Sequence, residues 1–521
     1  MKIRIVMCTA AAVAALTAFA LAQSPSADQA AIADLVLANR ILASDEVGIL
    51  NMRGHVSYRS RSNPGRFLIS RHAAAGLVTA ADIYESNLDG TPASPSSRSG
   101  NADLYPERFI DAEIYKARPD VMAIVTAETP EFVAFSVSSV PVHAANALAV
   151  VDVRTFPGGQ GGTVSTPALG ASLAQALGRS NAILIRGRGA VIVSPTINGV
   201  VGAANGLRES TRTQLTASAL RGTVRYLDFT PRPPGAAAQP ARGRSNTPAD
   251  PTAADRPWNY WKYLANAELA RERREGTPNA TASAAADPDR AVIEEVVLAS
   301  RMLSTTEAGI IGAYGHVSAR SRTNPKHYFI STDRSPGSIT DADMIENDLE
   351  SKAAVPTDKS QFQEVYIHGE IYKARPDVMA VLHAHTAELV AFGQSSVPLR
   401  PVLHWAGFIG AGLPNYDIRK YTGGYASPVG CAHCISTPEL GRALAQELGN
   451  RGAALLFGHG IAVVAGSVPE LVNRAHDMRM NAMIQQMAMS LGGKVNYLDG
   501  PAPAGSDPAA WEYWRRRVSI D

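Results

Sequence analysis

The chain has 521 residues, is 18% charged and 45% hydrophobic, and carries a formal net charge of +2 at neutral pH. That length exceeds what a single hydrophobic core organises, so more than one domain is expected. The near-zero net charge and ordinary composition exclude a surface built for nucleic acid or for an acidic membrane.

The first residues read as an export signal. Lys2 and Arg4 precede an apolar stretch from Ala10 to Leu21, and Ala20-Leu21-Ala22 offers small residues for cleavage after Ala22. The apolar part is too short for a membrane span. The mature protein is therefore expected in a periplasm or outside the cell, with no membrane contact once residues 1–22 are removed. Cys8 leaves with that segment, while Cys431 and Cys434 remain. In an oxidising compartment, Cys431-Ala432-His433-Cys434 reads as a local disulfide. A lone C-x-x-C makes a weak case for a zinc ribbon or a redox motif.

The rest is an internal duplication. RGHVSYRSRSNPGRFLIS from Arg53 is echoed by YGHVSARSRTNPKHYFIS from Tyr314, and EIYKARPDVMAIVTAET from Glu113 by EIYKARPDVMAVLHAHT from Glu370. Even Trp258-Asn259-Tyr260-Trp261 has a counterpart in Trp511-Glu512-Tyr513-Trp514. The expected division is a first repeat at 27–229, a linker with a Trp-x-Tyr-Trp helix at 230–286, a second repeat at 287–500 and an aromatic tail at 501–521. Thr230 to Arg256 is rich in Pro, Ala and Gly without apolar periodicity, as an extended linker is. In the second repeat, Ala286–Ile311 and Val468–Leu491 read as helices, and Val378–His385 and Ala454–Val464 as strands, which gives an α/β unit.

The chemistry concentrates between Glu364 and His459. His383 and His385 are two apart, follow an apolar run that begins after Pro376, and share one face if that run is a strand. His459 lies between Gly458 and Gly460 at a turn. Three imidazoles with a fourth position open describe a catalytic metal site better than a structural one. In the first repeat Glu364 is matched by Glu107, but His368 becomes Asp111, His383 Thr126, His385 Glu128 and His459 Arg188. A permanent cation, a hydroxyl and a carboxylate do not replace three neutral imidazoles. The first repeat is expected to bind no metal.

Glu364, His383-x-His385, Gly458-His459-Gly460 and the earlier Gly315-His316-Val317-Ser318-Ala319-Arg320 together resemble the class II aldolase/adducin family, over roughly residues 290–500. The resemblance implies an α/β fold of two tandem aldolase-like units, each a central, mainly antiparallel sheet flanked by helices. It implies one divalent metal per chain, zinc first with manganese or iron as alternatives, held by His383, His385 and His459, with Glu364 as the acid/base. It also implies four-unit rings with sites between neighbours, which two copies of this chain would build as a pseudo-fourfold homodimer.

The family's aldolases have Gly-Asn at Gly315-His316 and a Ser pair where Phe362-Gln363 stands, both serving substrate phosphate. Their absence points to a small, non-phosphorylated carboxylic acid carrying a hydroxyl or oxo group. The Gly-His-Val-Ser form is similar to a decarboxylase-like branch. His316, Ser318, Arg320 and His404 are candidate substrate contacts; because His55 and Arg59 survive in the first repeat, structural roles for His316 and Arg320 stay open. The expected activity is metal-dependent carbon–carbon lysis through a stabilised enolate, as a decarboxylase or an aldolase. An iron-dependent oxygenase of the same fold and a non-catalytic adducin-like binding protein are the alternatives.

Overall fold

The computed structural model describes residues 27–219 and 287–517, apart from 45–46, 95–103, 144–147, 160–161, 306–307, 312–314, 423–432 and 499–506. The expected signal, the linker with its Trp-x-Tyr-Trp stretch, and Cys431 all lie outside the described residues. No helix among those described is long and apolar enough to cross a membrane.

The duplication in sequence is a duplication in fold. In the first half, β1 (His55–Arg59), β2 (Arg66–Ser70), β3 (Ile83–Asn87), β4 (Ala123–Ala127), β5 (Ala149–Val151), β6 (Ala182–Ile185) and β7 (Gly189–Ser194) form one sheet in the order β3-β2-β1-β4-β7-β6-β5. In the second, β8 (His316–Arg320), β9 (His327–Ser331), β10 (Met344–Asp348), β11 (Ala380–Ala384), β12 (Asn415–Tyr416), β13 (Ala453–Leu456) and β14 (Gly460–Ala465) repeat it as β10-β9-β8-β11-β14-β13-β12. All pairings are antiparallel except β5 with β6 and β12 with β13. Helices cover both faces of each sheet, so each half has two apolar layers, one on either side.

β11 shows why the sequence folds as it does. It lies between β8 and β14 with every residue buried, which suits an unbroken apolar run. The helix Val365–Ala374 before it ends where Pro376 disfavours a helical conformation at Arg375. The expected helix over 286–311 is shorter, Pro288–Leu303, with Asp287 capping its first turn. The C-terminal helix Pro508–Arg517 buries Tyr513 and Trp514 in the second half's own core, against Val468–Ser490 and Pro288–Leu303.

The halves are packed together. Val133, Ala134 and Val137 of the first half join the second half's largest core. The Arg53 guanidinium donates two hydrogen bonds to Asp477 (2.7 and 3.0 Å), and its Nε lies 3.5 Å from Asp507. Leu498 seats against Gly187, where a Cβ would lie only 2.4 Å from the leucine methyl.

Candidate metal centre

His383, the penultimate residue of β11, is fully buried, and His385 follows just past the strand end on the same face. The turn between β13 and β14 brings in the third imidazole. Gly458 adopts φ +67° there, and a Cβ on Gly460 would sit 2.2 Å from the Ala384 carbonyl oxygen and 3.0 Å from the His385 ring. Only glycine lets the turn close onto β11, and that closure sets His459 beside His385 with ring centres 4.8 Å apart.

Glu364 stands at the N-cap position of Val365–Ala374, buried, with Oε1 accepting the Ile435 N–H at 2.9 Å. Its Oε2 turns into the cluster, 3.2 Å from His383 Nε2 and 3.6 Å from His459 Nε2. His383 Nε2 and His385 Nε2 are 3.0 Å apart. Ligands about 2.0–2.1 Å from one tetrahedral ion lie roughly 3.3 Å from each other, so these separations suit a shared ion. The four donor atoms all lie within 4.8 Å of one another. His383 Nδ1 donates to the Ile461 carbonyl at 2.9 Å, which leaves the Nε2 lone pair for the cluster, the usual support for a metal-binding imidazole. Burial alone would raise the Glu364 carboxyl, but His383 and then His459 hold it far below the ordinary carboxylate range, so it is ionised. Burial first, and His383 next, push His459 down to about 3, so its ring is a neutral donor. The donor set fits a divalent ion. Glu364 Oε2 lies close enough to the three imidazoles to act on a group held at the same ion.

The other candidate contacts divide. His316 is buried next to the cluster, its ring 5.2 Å from His383 and 4.4 Å from Phe362. Ser318 is not a substrate contact: it is wholly buried behind His316, bonded to His368 (2.6 Å) and Tyr372 (2.9 Å). Arg320 is corrected as well. It is buried and gives its donors to the carbonyls of Val378, Tyr372, Arg375 and Pro325, with Tyr372 beneath its guanidinium, so it ties β8 to the end of the helix Val365–Ala374 and to connecting segments instead of binding a carboxylate. Arg59 makes the matching bonds in the first half.

His404 lies at the first half's altered site, not among the three histidines of its own half. Its N–H donates to the Gly187 carbonyl at 2.9 Å and its Nε2 lies 3.1 Å from Thr163 Oγ1. Burial, then Arg188, Arg53 and Arg154, push its pKa down to about 2. Beside it, Trp405 Nε1 donates to Glu128 at 2.9 Å. At that site the Arg188 guanidinium takes the place of an ion: Nη2 is 2.6 Å from Glu107 and 3.0 Å from Glu128. A tethered cation neutralises the carboxylates, which explains how the first half keeps its fold with none of the three histidines.

Two residues emerge that spacing alone does not single out. His368 contacts both His316 and Ser318, and the sign of it in the sequence is its replacement by Asp111 in the first half. His433, in the insertion peculiar to the second half, brings its ring within 6.4 Å of His459. The neighbouring Cys434 is disulfide-bonded.

Two matched α/β units, one with a buried histidine–carboxylate cluster at the end of its central strand, define a duplicated protein with a candidate metal centre in its second half. The chain belongs to the class II aldolase/adducin family: the family's "Class II Aldolase and Adducin N-terminal domain" matches residues 33–215 and again 294–486. It is 34% identical over 202 residues to the decarboxylase tropJ of Talaromyces stipitatus, covering 37% of this chain and 75% of that protein. It is 27% identical over 247 residues to a 3,4-dihydroxyphthalate decarboxylase of Arthrobacter keyseri, covering 43% of this chain and 93% of that one. Among solved structures, an L-fuculose 1-phosphate aldolase aligns over 44% of this chain and 95% of its own, at 20% identity and a TM-score of 0.34, a likeness of fold alone. The chain is an enzyme of the lyase class.

Proposed function

We propose that the second half is a divalent-metal-dependent decarboxylase acting on a non-phosphorylated carboxylic acid that bears a hydroxyl or oxo group, with hydroxylated aromatic acids the first class to try. The observation that carries this reading is the one-sided cluster: three imidazoles and Glu364 converge in one unit, while Thr126, Glu128 and Arg188 fill the matching positions of the other. The named activities of the two decarboxylases support the choice of reaction.

His383, His385 and His459 would hold the ion, which when bound supplies charge stabilisation for the electron pair left as the carbon–carbon bond breaks. Glu364 is ionised and so acts first as a base. It takes the proton of a substrate hydroxyl and returns it to the carbon that CO2 has left, which keeps the proton count balanced. Ile435 N–H holds the far oxygen of Glu364, so proton exchange uses the oxygen that faces the histidines. Phe362 fills space beside His316 where the family's phosphate-binding aldolases carry a serine. His316 then faces the substrate's acidic end. Product analysis with a panel of hydroxylated aromatic and aliphatic acids tests this: CO2 release with the decarboxylated product is expected. Aldehyde release would make it an aldolase, and oxygen consumption would refute the lyase reading.

We also propose that two chains close a pseudo-fourfold ring. The helix Pro130–Val137 of the first half is covered by the second half, with everything from Glu131 to Val137 buried. Its counterpart Ala387–Gln394 buries only Leu389, Phe392 and Gly393 and leaves Ala391 and Gln394 exposed. The same docking surface is thus used once within the chain and stands open once, and a second copy's first half fits it under two-fold symmetry. Light scattering should show a dimer; a fully active monomer would refute the ring. Export to a periplasm or the exterior is part of the proposal, supported by the disulfide at Cys434.

A further inference from the structure

Behind the histidine cluster runs a chain of buried polar groups that the proposed reaction does not use. The Tyr372 hydroxyl is 2.9 Å from Ser318 Oγ, Ser318 Oγ is 2.6 Å from His368 Nδ1, and His368 Nε2 is 2.7 Å from His316 Nδ1. All four side chains are buried. Two ring nitrogens only 2.7 Å apart share one proton, so one imidazole offers a lone pair to the other.

A neutral imidazole has one N–H and one lone pair, so each link of such a chain dictates the next. The chain runs towards the histidine cluster when the Tyr372 O–H donates to Ser318 Oγ. Ser318 then donates to His368 Nδ1, and His368 donates from Nε2 to His316 Nδ1. In that direction the remaining proton of His316 sits on Nε2, which has no hydrogen-bond partner among the described residues.

The first half provides the contrast. There Asp111 stands in place of His368, and it only accepts. His55 contacts Asp111 through Nε2 (2.9 Å), while Ser57 donates to the other carboxylate oxygen (2.6 Å). The same histidine, in the half that lacks the three imidazoles, spends its Nε2–H on the protein.

We propose that His368 is a positioning residue, which fixes His316 as an Nε2–H donor for an anionic oxygen of the substrate and so sets the site's preference for a carboxylate. The choice of a carboxylate substrate rests on the decarboxylase reading above; the orientation of His316 does not. The arrangement gives a fixed donor without adding charge beside a site that would hold an ion, and fixed donors to charged oxygens are the stronger kind.

The test compares binding of 2,3-dihydroxybenzoate with binding of catechol, by calorimetry on the full-length, metal-loaded protein. The two probes differ by the carboxylate. His368→Asp, the residue the first half carries, should cut the preference for the carboxylate probe by about 10- to 100-fold, the usual worth of a hydrogen bond to a charged group. Metal content and catechol binding should hold. His368→Gln restores the polarity, since its amide N–H can donate to His316 while its oxygen accepts from Ser318, and should keep most of the preference. Nitrogen-15 spectra of labelled histidine should show His316 as the Nε2–H tautomer in the wild type. The Nδ1–H tautomer there, or equal losses for both probes in His368→Asp, would overturn the proposal. Absence of CO2 release from any acid would sink the decarboxylase reading instead and leave this binding comparison standing.

Discussion

Removing Arg188, the cation at the first half's altered site, should cost more than any surface ion pair. Arg188 is 5% exposed, 2.6 Å from Glu107 and 3.0 Å from Glu128, with the Trp405 ring 5.1 Å from its guanidinium carbon. Arg188→Ala leaves two carboxylates in one buried pocket without that charge, a loss of about 3–5 kcal/mol for a broken buried pair. Its pH dependence has a definite sign. Burial already raises the Glu128 pKa above its ordinary 4.5, against the pull of Arg188 and Arg53, and losing Arg188 raises it further. A carboxylate whose folded-state pKa is raised contributes stability below its unfolded pKa and loses it as pH climbs through the folded value. The deficit of Arg188→Ala should therefore be small near pH 4 and full at pH 7. Urea unfolding at both pH values is the assay, read at the first transition because two packed units need not unfold in one step. Arg188→Met combined with Glu107→Gln and Glu128→Gln removes the charges together and should recover most of the loss. An Arg188→Ala protein as stable as the wild type at pH 7, or a deficit that ignores pH, would refute this account.

Two further outcomes follow from the same comparison of halves. Thr126→His, Glu128→His and Arg188→His together should raise the metal bound from one to two equivalents per chain, measured by elemental analysis, because the Gly189 approach to the Ala127 carbonyl repeats that of Gly460 to Ala384. Glu364→Gln should keep its metal while turnover falls by ~10²- to 10⁴-fold, the usual range for a lost acid/base; turnover near normal would move proton transfer to another group.

Much of the fold and part of the site are legible in the sequence. Repeats, an alternation of strand and helix, and a His-x-His at the end of an apolar run are local signals, and the structure keeps them in β11 and the Gly458–Gly460 turn. What spacing does not carry is who stands behind whom. Ser318 and Arg320 sit in the same motif as His316, yet one lies behind it and the other turns to backbone carbonyls on neighbouring segments. His404 follows its own half in sequence, but packing between the halves delivers it to Thr163 and Gly187. His368 falls in a helix whose pattern reads as ordinary amphipathic surface and core, and only its three-dimensional partners give it a role. The end of the helix at Leu303 likewise depends on local capping more than on the apolar pattern that continues to Ile311.

One half is proposed to hold a metal through its histidines and the other to hold none. Metal content per chain, measured on the purified full-length protein and on His383→Ala, tests it most directly. One equivalent in the wild type, and close to none in a His383→Ala protein that still folds, is the predicted result. Two equivalents in the wild type, or metal retained after His383→Ala, would contradict it.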